Sequence, residues 1–267
     1  MPYKYMKPVL YNDDFFVSIN KIQNDSIDLI LTDPPYGVFG KEKLMMDWDI
    51  MPPIDKMFEL FDKVLKPNGQ ALIFCDMMLL LELMARHKFL FHFRYHFIWK
   101  KSSPMPISIF RPLPETEFIL VYKKKNTLES NLTWNPKFIS EKREPYTKKN
   151  YNLSINIRKG KKMEIDKNEN GWRHPRVILS GANKPNMKSA ERSNHPTQKP
   201  EYLLRRLINT FTNKGDTVFD PFSGSASTLI SAYKERRQSI GFELHDQYFD
   251  DAIRRINNVT SQSVLFS

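Results

Sequence analysis

The stretch LILTDPPYG, residues 29–37, places three groups that could contact a ligand within four positions. Asp33 offers a carboxylate acceptor, Pro34 a backbone carbonyl whose position the following Pro35 restricts, and Tyr36 an aromatic face. They follow a short apolar run that is typical of a buried parallel strand. A site at the end of this strand is therefore the first expectation.

Other predicted strands also end in acids. Asp13 and Asp14 follow a first strand PVLYN, Asp220 ends DTVFD, and Glu243 ends SIGFE. A tight turn of small residues, SGSAST, comes soon after DTVFD. Each acid alone has an ordinary explanation as a helix cap. Together, at the carboxyl ends of parallel strands, they suggest a cofactor with a ribose, an adenine and a cationic tail. The Gly-x-x-x-x-Gly-Lys-Ser/Thr pattern of a polyphosphate site is absent from the sequence.

The elements that must position these residues alternate between strands and helices, which indicates a doubly wound α/β sheet. Apolar residues from Ile54 to Leu65 repeat at helical spacing, and Pro67-Asn68-Gly69 should stop that helix. Three more strands are expected at 69–75, 93–100 and 117–123. The later elements are a helix at 203–211, strand 216–220, a helix from about 225, strand 239–243 and a final helix through 257.

Composition excludes several classes of protein. The chain has 267 residues and is 40% hydrophobic, enough for one large domain with an insertion. Its longest apolar run, MMLLLELMA, is interrupted by Glu82 and is too short for a membrane helix of about 18 residues or more. The start lacks the pattern of a secretory signal. A single cysteine, Cys75, permits no internal disulfide and suggests a reducing cytoplasm, with Cys75 a small buried side chain rather than a nucleophile.

The positive charge is concentrated in one segment. Residues 123–192 carry 18 Lys and Arg against 7 Asp and Glu, a surplus of 11 that equals the formal net charge of the whole chain. Apolar periodicity is weak there, and aromatic residues lie among the cations: Trp134, Phe138, Tyr146, Tyr151 and Trp172. Charge runs are usually solvated loops. The aromatic interleaving and the flanking motifs favour DNA contact instead.

Five motifs, in this order, resemble the amino-group DNA methyltransferases that use S-adenosylmethionine, in the permuted class where DPPY precedes the Phe-x-Gly turn. The motifs are YNDD, DLILTDPPYG, HPTQKP, DPFSGSAST and IGFE. The resemblance implies a Rossmann-like methyltransferase sheet with an inserted basic target-recognition region. It divides the chain into a catalytic half at 1–122, the target-recognition insertion at 123–194 and the cofactor-binding half at 195–267.

The resemblance also assigns cofactor contacts. Residues 222–225 would wrap the methionine part, with Asp220 near its amino group, and Glu243 would accept hydrogen bonds from the ribose hydroxyls. Asp14 and Phe15 would read the adenine. HPTQKP would help to hold the carboxylate end, where Lys199 could add charge. The full set implied is Asp14, Phe15, Asp33, His195, Thr197, Lys199, Asp220, Phe222, Ser223, Gly224, Ser225 and Glu243.

One residue departs from the family pattern. Ala226 stands where the family often has glycine. Alanine is tolerated if φ is negative at that position, so we expect at most a weaker affinity for the cofactor.

The DPPY motif has a chemical interpretation in this family. An exocyclic amine on adenine is a poor nucleophile because its lone pair is delocalised into the ring. Acceptors at Asp33 and Pro34, each taking one N–H, would favour a pyramidal nitrogen with its lone pair aimed at the methyl group, and the ring of Tyr36 would stack on the base. Transfer would be direct and without a metal, carried by positioning and electrostatics, on a base flipped out of duplex DNA.

Several alternatives stay open at this point. Methylation of cytosine N4 is the nearest, although sites of that type more often begin with Ser than with Asp. RNA methylation is another, as is methylation of a protein amide, whose motif usually begins with Asn. A noncatalytic DNA-binding relative and a single-chain restriction enzyme complete the set, and the chain has little spare length for a nuclease domain.

The partners implied are double-stranded DNA and no membrane. A homodimer and a cognate restriction endonuclease are expectations from the family alone, within a restriction-modification setting. The recognition sequence does not follow from the residues.

Overall fold

The computed structural model describes residues 6–37, 49–104, 110, 112–144, 171–182, 191 and 198–264, without the side chains of 88 and 262–264. Within these residues the chain forms an eight-stranded sheet in the order β1-β8-β7-β2-β3-β5-β4-β6. The strands are β1 (Val9–Asn12), β2 (Ile27–Thr32), β3 (Leu65–Cys75), β4 (Phe91–Lys101), β5 (Thr116–Lys124), β6 (Ile178–Gly181), β7 (Thr217–Asp220) and β8 (Gln238–Glu243).

The strands that precede the acidic motifs run in one direction. β1, β8, β7, β2 and β3 pair in parallel, whereas β5 is antiparallel to both β3 and β4, and β6 is parallel to β4. The carboxyl ends of the five parallel strands therefore share one edge of the sheet. This confirms the predicted α/β fold, and β6 shows that part of the predicted insertion belongs to the sheet.

Helices cover both faces of the sheet. They are α1 (Phe15–Ser18), α2 (Ile54–Val64), α3 (Met77–Arg86), α4 (Glu201–Phe211), α5 (Ser227–Lys234) and α6 (Asp246–Val264). In β2, Ile30 belongs to the core under α1, α2 and α3, while Leu29 and Leu31 belong to the core under α4. Burial on both faces explains why β2 reads as a continuous apolar run.

The helix α2 ends earlier than the sequence predicts. Its last residue is Val64, and β3 begins at once with Leu65, so that Pro67-Asn68-Gly69 lies inside the strand rather than at the end of the helix. The reason is tertiary: Leu65 is fully buried and pairs with Ile27, where the register of β2 and β3 shifts. Pairing with β2 thus ends the helix before the proline is reached.

Within the described part of the chain, no helix is both long and apolar enough to cross a membrane. Cys75 is fully buried at the end of β3, as predicted.

Candidate active site

The acids predicted from strand ends do meet at one edge. β1, β8, β7 and β2 are successive neighbours in the sheet, so Asp14, Glu243, Asp220 and Asp33 follow one another along its carboxyl side. Their order in space differs from their order in the chain because the cofactor half enters the sheet between β1 and β2. The predicted convergence is therefore confirmed by the topology.

The Asp33 carboxylate has two partners. The Tyr36 hydroxyl donates to Oδ1 at 2.6 Å, and the Lys199 ammonium donates to Oδ2 at 2.5 Å. Burial raises the pKa of Asp33, and the positive charge of Lys199 opposes that rise. Burial also raises the pKa of Tyr36 well above its usual value, so that its phenol stays a hydrogen-bond donor.

The side chain of Asp49 fixes the backbone that follows Asp33. Pro34 is buried, and among the described residues no donor is bonded to its carbonyl oxygen. The Asp49 side chain accepts hydrogen bonds from the amides of Tyr36 at 2.9 Å and Gly37 at 3.0 Å. Asp49 is 3% exposed, so this clamp on the end of the loop is well shielded from water.

The turn after β7 is tied to the end of β8. The amide of Gly224 donates to Glu243 Oε2 at 2.8 Å, and the amide of Ser223 donates to the carbonyl of Phe242 at 2.9 Å. Glu243 Oε1 also accepts from the amide of His245 at 2.9 Å, and burial raises the pKa of Glu243. Each carboxylate oxygen keeps further acceptor capacity, which suits a pair of hydroxyl donors.

Gly241 makes this turn possible, and the sequence alone gave it no role. A Cβ at Gly241 would lie 2.1 Å from Ser223 Oγ and 2.8 Å from the carbonyl oxygen of Asp220. The space left by the missing side chain holds the Ser223 hydroxyl, which donates to the Asp220 carbonyl at 2.8 Å. The glycine of IGFE is thus explained by close packing of the turn on β8.

Asp220 is a buried carboxyl group beside this turn. It is 3% exposed and accepts hydrogen bonds from the Thr32 hydroxyl at 2.7 Å and the Phe222 amide at 3.2 Å. Burial raises its pKa to about 7, only partly offset by these bonds. None of the cationic side chains in the described residues pairs with it. A ligand with a positive charge would supply the missing partner.

The residues predicted for the adenine have local roles in the structure. Asp14 caps α1, since its Oδ1 accepts from the Phe16 amide at 2.8 Å. Phe15 is 2% exposed and packs edge-on against Phe222, with ring centres 5.2 Å apart. The neighbouring ring of Phe16 is only half-buried. The assignment of Asp14 and Phe15 to adenine stays a prediction, and Phe16 is a further aromatic residue at this position.

The condition of a negative φ at Ala226 is not met, and its effect on cofactor affinity stays a prediction. Its φ is +57°, in the left-handed region, whereas tolerance of alanine was predicted for negative φ. Ala226 ends the turn and immediately precedes α5, so the backbone must reverse there before the helix can start. A side chain in this conformation costs of order 1–2 kcal/mol, which this turn has to absorb.

The HPTQKP motif is only partly described. His195 and Thr197 lie outside the described residues, and their predicted roles are untested. Lys199 is described, and its ammonium contacts the carboxylates of Asp33 and Glu117. Glu117 was missed as a site residue, although a charged side chain at the start of the apolar strand EFILVYK was a usable signal.

A doubly wound sheet with a glycine turn after β7 and an acid at the end of β8 has the layout of a nucleotide-binding α/β fold. Residues 27–254 match the model of a family described as "DNA methylase". The chain is 30% identical to DNA adenine methyltransferase YhdJ of Escherichia coli (strain K12), covering 93% of this chain and 82% of that protein. It is 28% identical to the type II methyltransferase M2.DpnII of Streptococcus pneumoniae, covering 95% and 91%.

Among solved structures, the M1.HpyAVI-SAM complex has a TM-score of 0.60 with 27% identity, covering 92% of this chain and 98% of that one. The chain belongs to the DNA methylase family. It is an amino-group DNA methyltransferase that uses S-adenosylmethionine, which confirms the prediction from the five motifs.

The residues at the sheet edge fit this cofactor. The buried Asp220, with no cationic side chain in the described residues, would meet the amino group, and Glu243 would accept from the ribose hydroxyls. The described residues contain no group of His, Cys, Asp and Glu arranged to hold a metal ion.

Proposed function

We propose that the enzyme methylates N6 of adenine within a specific DNA sequence, acting on a base flipped out of the duplex. The observation that carries this proposal is the Asp33 carboxylate beside the Pro34 carbonyl, at the end of a strand next to the one that bears Asp220. The name of YhdJ, a DNA adenine methyltransferase, supports the choice of base. The boundaries of the target-recognition insertion at 123–194 are part of the same proposal.

When bound, the cofactor would supply a methyl group on a sulfonium; the N6 lone pair would form the new N–C bond, the C–S electron pair would stay on sulfur, and one N6 proton would pass to water. The chain holds the amine. Asp33 would accept one N–H and the Pro34 carbonyl the other, which localises the lone pair. These acceptors are fixed before the base arrives, because Asp49 clamps the loop and Lys199 holds the carboxylate.

Tyr36 would serve in two ways. Its ring provides a face for the flipped base, and its hydroxyl orients Asp33 through the 2.6 Å hydrogen bond. Because the phenol occupies Oδ1 and Lys199 occupies Oδ2, the incoming amine uses the lone pairs that these two donors leave. Stacking of a base on an aromatic ring is worth about 1–3 kcal/mol.

The test is the chemical identity of the product. DNA treated with enzyme and cofactor is digested, and its nucleosides are separated by mass spectrometry; we expect N6-methyladenine. N4-methylcytosine would assign the enzyme to the other amino-group reaction with the same acceptor geometry. Unmodified DNA from a folded enzyme that binds the cofactor would contradict the proposal.

Asp33→Ala should remove most methyl transfer while leaving DNA affinity nearly unchanged, because phosphate contacts dominate affinity. Tyr36→Ala should lose the stacking contribution, whereas Tyr36→Phe keeps the ring and should retain much of the activity. Single-turnover rates and DNA binding by fluorescence anisotropy separate the two effects. A fully active Asp33→Ala enzyme would rule out the mechanism.

A further inference from the structure

Side chains of alternating charge form a chain that leads away from Asp33. Lys199 Nζ lies 2.5 Å from Asp33 Oδ2 and 3.2 Å from Glu117 Oε2. On the far side of Glu117, Lys101 Nζ lies 2.5 Å from Oε1. One ammonium is thus shared by two carboxylates, and a second ammonium supports the outer carboxylate.

The middle of this chain is shielded from solvent. Lys199 is 8% exposed, and its ammonium lies 5.2 Å from the ring centre of Phe74 and 5.7 Å from that of Tyr36. Burial opposes the positive charge, but Asp33 and Glu117 raise the pKa of Lys199 above its usual value, so it remains an ammonium. Buried charges this close to one another interact strongly because little water screens them.

Glu117 reaches the site from β5, outside all the recognised motifs. Burial alone would raise its pKa, but the ammonium groups of Lys199 and Lys101 hold the pKa of Glu117 below its usual range. Its carboxylate is therefore ionised and draws Lys199 away from exclusive pairing with Asp33.

We propose that Glu117 and Lys199 are positioning residues for methyl transfer, which share one positive charge so that Asp33 is both ionised and free to accept an N–H from the target amine. This inference rests on the proposed role of Asp33. Without Lys199, a buried Asp33 would bind a proton and become a donor. With Lys199 but without Glu117, the ammonium would pair with Asp33 alone and weaken it as an acceptor.

The remaining titratable groups near Asp33 do not supply a positive charge shared between two carboxylates. Tyr36 donates a neutral hydrogen bond, Cys75 at the end of β3 is held as a thiol because burial raises its pKa, and Asp220 on β7 adds only like charge. Among the described residues, Lys199 is the cation bonded to Asp33.

The two positioning residues predict opposite pH effects, which a merely structural role would not produce. We expect Lys199→Met to move the acid limb of the kcat profile to higher pH by about 1–3 units, because an opposite charge at this distance lowers a carboxyl pKa by about that much. We expect Glu117→Gln to move the same limb to lower pH and to reduce the maximal kcat, at the plateau of the profile, about tenfold. Lys199→Arg keeps the charge and should restore the position of the limb.

The KM for DNA should stay within about twofold in both variants, because neither residue is proposed to contact phosphate. Lys66→Met is the matched control: Lys66 forms a comparable ion pair with Asp28 at 2.7 Å, near the other end of β2, and should leave the profile unchanged.

A second measurement does not depend on activity. Carboxyl resonances of protein labelled with ¹³C-aspartate, titrated by NMR, should show the Asp33 pKa rising in Lys199→Met and falling in Glu117→Gln. Shifts in the same direction, or none, would overturn the inference whatever product the enzyme forms. The product assay on wild-type enzyme tests the choice of base separately, so the two proposals can fail independently.

Discussion

At the scale of residues, this site depends on carboxyl groups buried in different electrostatic surroundings. Asp33 has an ammonium partner at 2.5 Å, whereas Asp220 has only hydroxyl and amide donors among the described residues. The physical consequence is that Lys199 opposes the rise that burial causes in the pKa of Asp33, while Asp220 is half protonated near neutral pH, at a pKa of about 7. Asp33 is therefore suited to a neutral amine, and Asp220 is suited to a cation.

The cofactor affinity should depend on pH through Asp220. The ammonium of the cofactor favours the ionised carboxyl, so affinity should fall up to about tenfold for each pH unit below about 7 and level off above it. Asp220→Asn should bind more weakly and lose this dependence. Calorimetry across pH 5.5–8.5, at about half-unit steps, measures both affinity and proton release. A wild-type affinity that is flat over this range would contradict the assignment.

Asp220 also determines the direction in which the stability of the cofactor-free protein changes with pH. Its folded pKa of about 7 lies above the value of 3.8 in a model compound, so the folded state holds the proton more tightly. The contribution of Asp220 to the free energy of unfolding is therefore fully present below about pH 4 and is lost as pH rises toward 7.

Ala226→Gly should not destabilise the protein, unlike most changes from alanine to glycine. Relief of the left-handed backbone at φ +57° offsets the extra flexibility of glycine in the unfolded chain, giving a net gain of about 0–1 kcal/mol. The matched control is Ala85→Gly on the exposed side of α3, which should lose about 0.5–1 kcal/mol. Urea unfolding compares the two, and equal losses would contradict the interpretation.

At the scale of elements, the site is built where strand ends are tied to one another by backbone hydrogen bonds. The turn after β7 donates two amides to the end of β8, and the amide of Asp13, just after β1, donates to the Glu243 carbonyl at 3.2 Å. Like Gly241 under the turn, Gly181 at the end of β6 allows a close approach, here at the other edge of the sheet. A Cβ at Gly181 would lie 2.1 Å from the Tyr202 hydroxyl. At Gly181 and Gly241, the missing side chain allows neighbouring elements to approach closely.

Gly241→Ala should weaken cofactor binding by at least about tenfold, because its Cβ would push Ser223 and the turn off β8. Ser223→Ala alone should have a small effect. The double variant should recover part of the affinity, since the 2.1 Å contact disappears while the 2.8 Å contact with the Asp220 carbonyl remains. Calorimetry with S-adenosylmethionine measures the cofactor affinity of each variant. An unchanged affinity in Gly241→Ala would rule out this account of the turn.

At the scale of the whole molecule, the surplus of 11 positive charges in residues 123–192 is not all available to DNA. Lys123 pairs with Glu129 at 3.5 Å, and Lys124 pairs with Asp25 at 3.1 Å. Trp134 packs edge-on against Phe211, with ring centres 5.5 Å apart, so part of its face serves the core. The beginning of the basic segment is thus structural, and the lysines further along are the better candidates for phosphate contact.

DNA affinity should fall steeply with salt, by about −0.9 in the log–log slope for each phosphate neutralised. Replacing Lys159, Lys161 and Lys162, which lie outside the described residues, with Gln should flatten that slope. The control is a triple change at exposed lysines elsewhere: Lys7, Lys56 and Lys214. Fluorescence anisotropy at several salt concentrations gives both slopes. Equal slopes for the two triples would show that the cluster does not contact the backbone.

The sequence by itself determined which strands end in acids, because a buried parallel strand is a short apolar run and the residue after it is readable. DPPY, the glycine turn and Glu243 were found this way, and the basic segment was found from its charge. Their convergence also followed, since parallel strands share one carboxyl edge.

Only the tertiary structure decided what each group touches. Glu117 shares Lys199 with Asp33 because the antiparallel β5 places its first residues at the same edge as the end of β2, although the three are far apart in the chain. The sign of φ at Ala226 and the end of α2 at Val64 depend on packing against β8 and β2. A pattern of residue types records burial and alternation, but it does not contain the distances between elements that set a carboxyl pKa or a backbone angle.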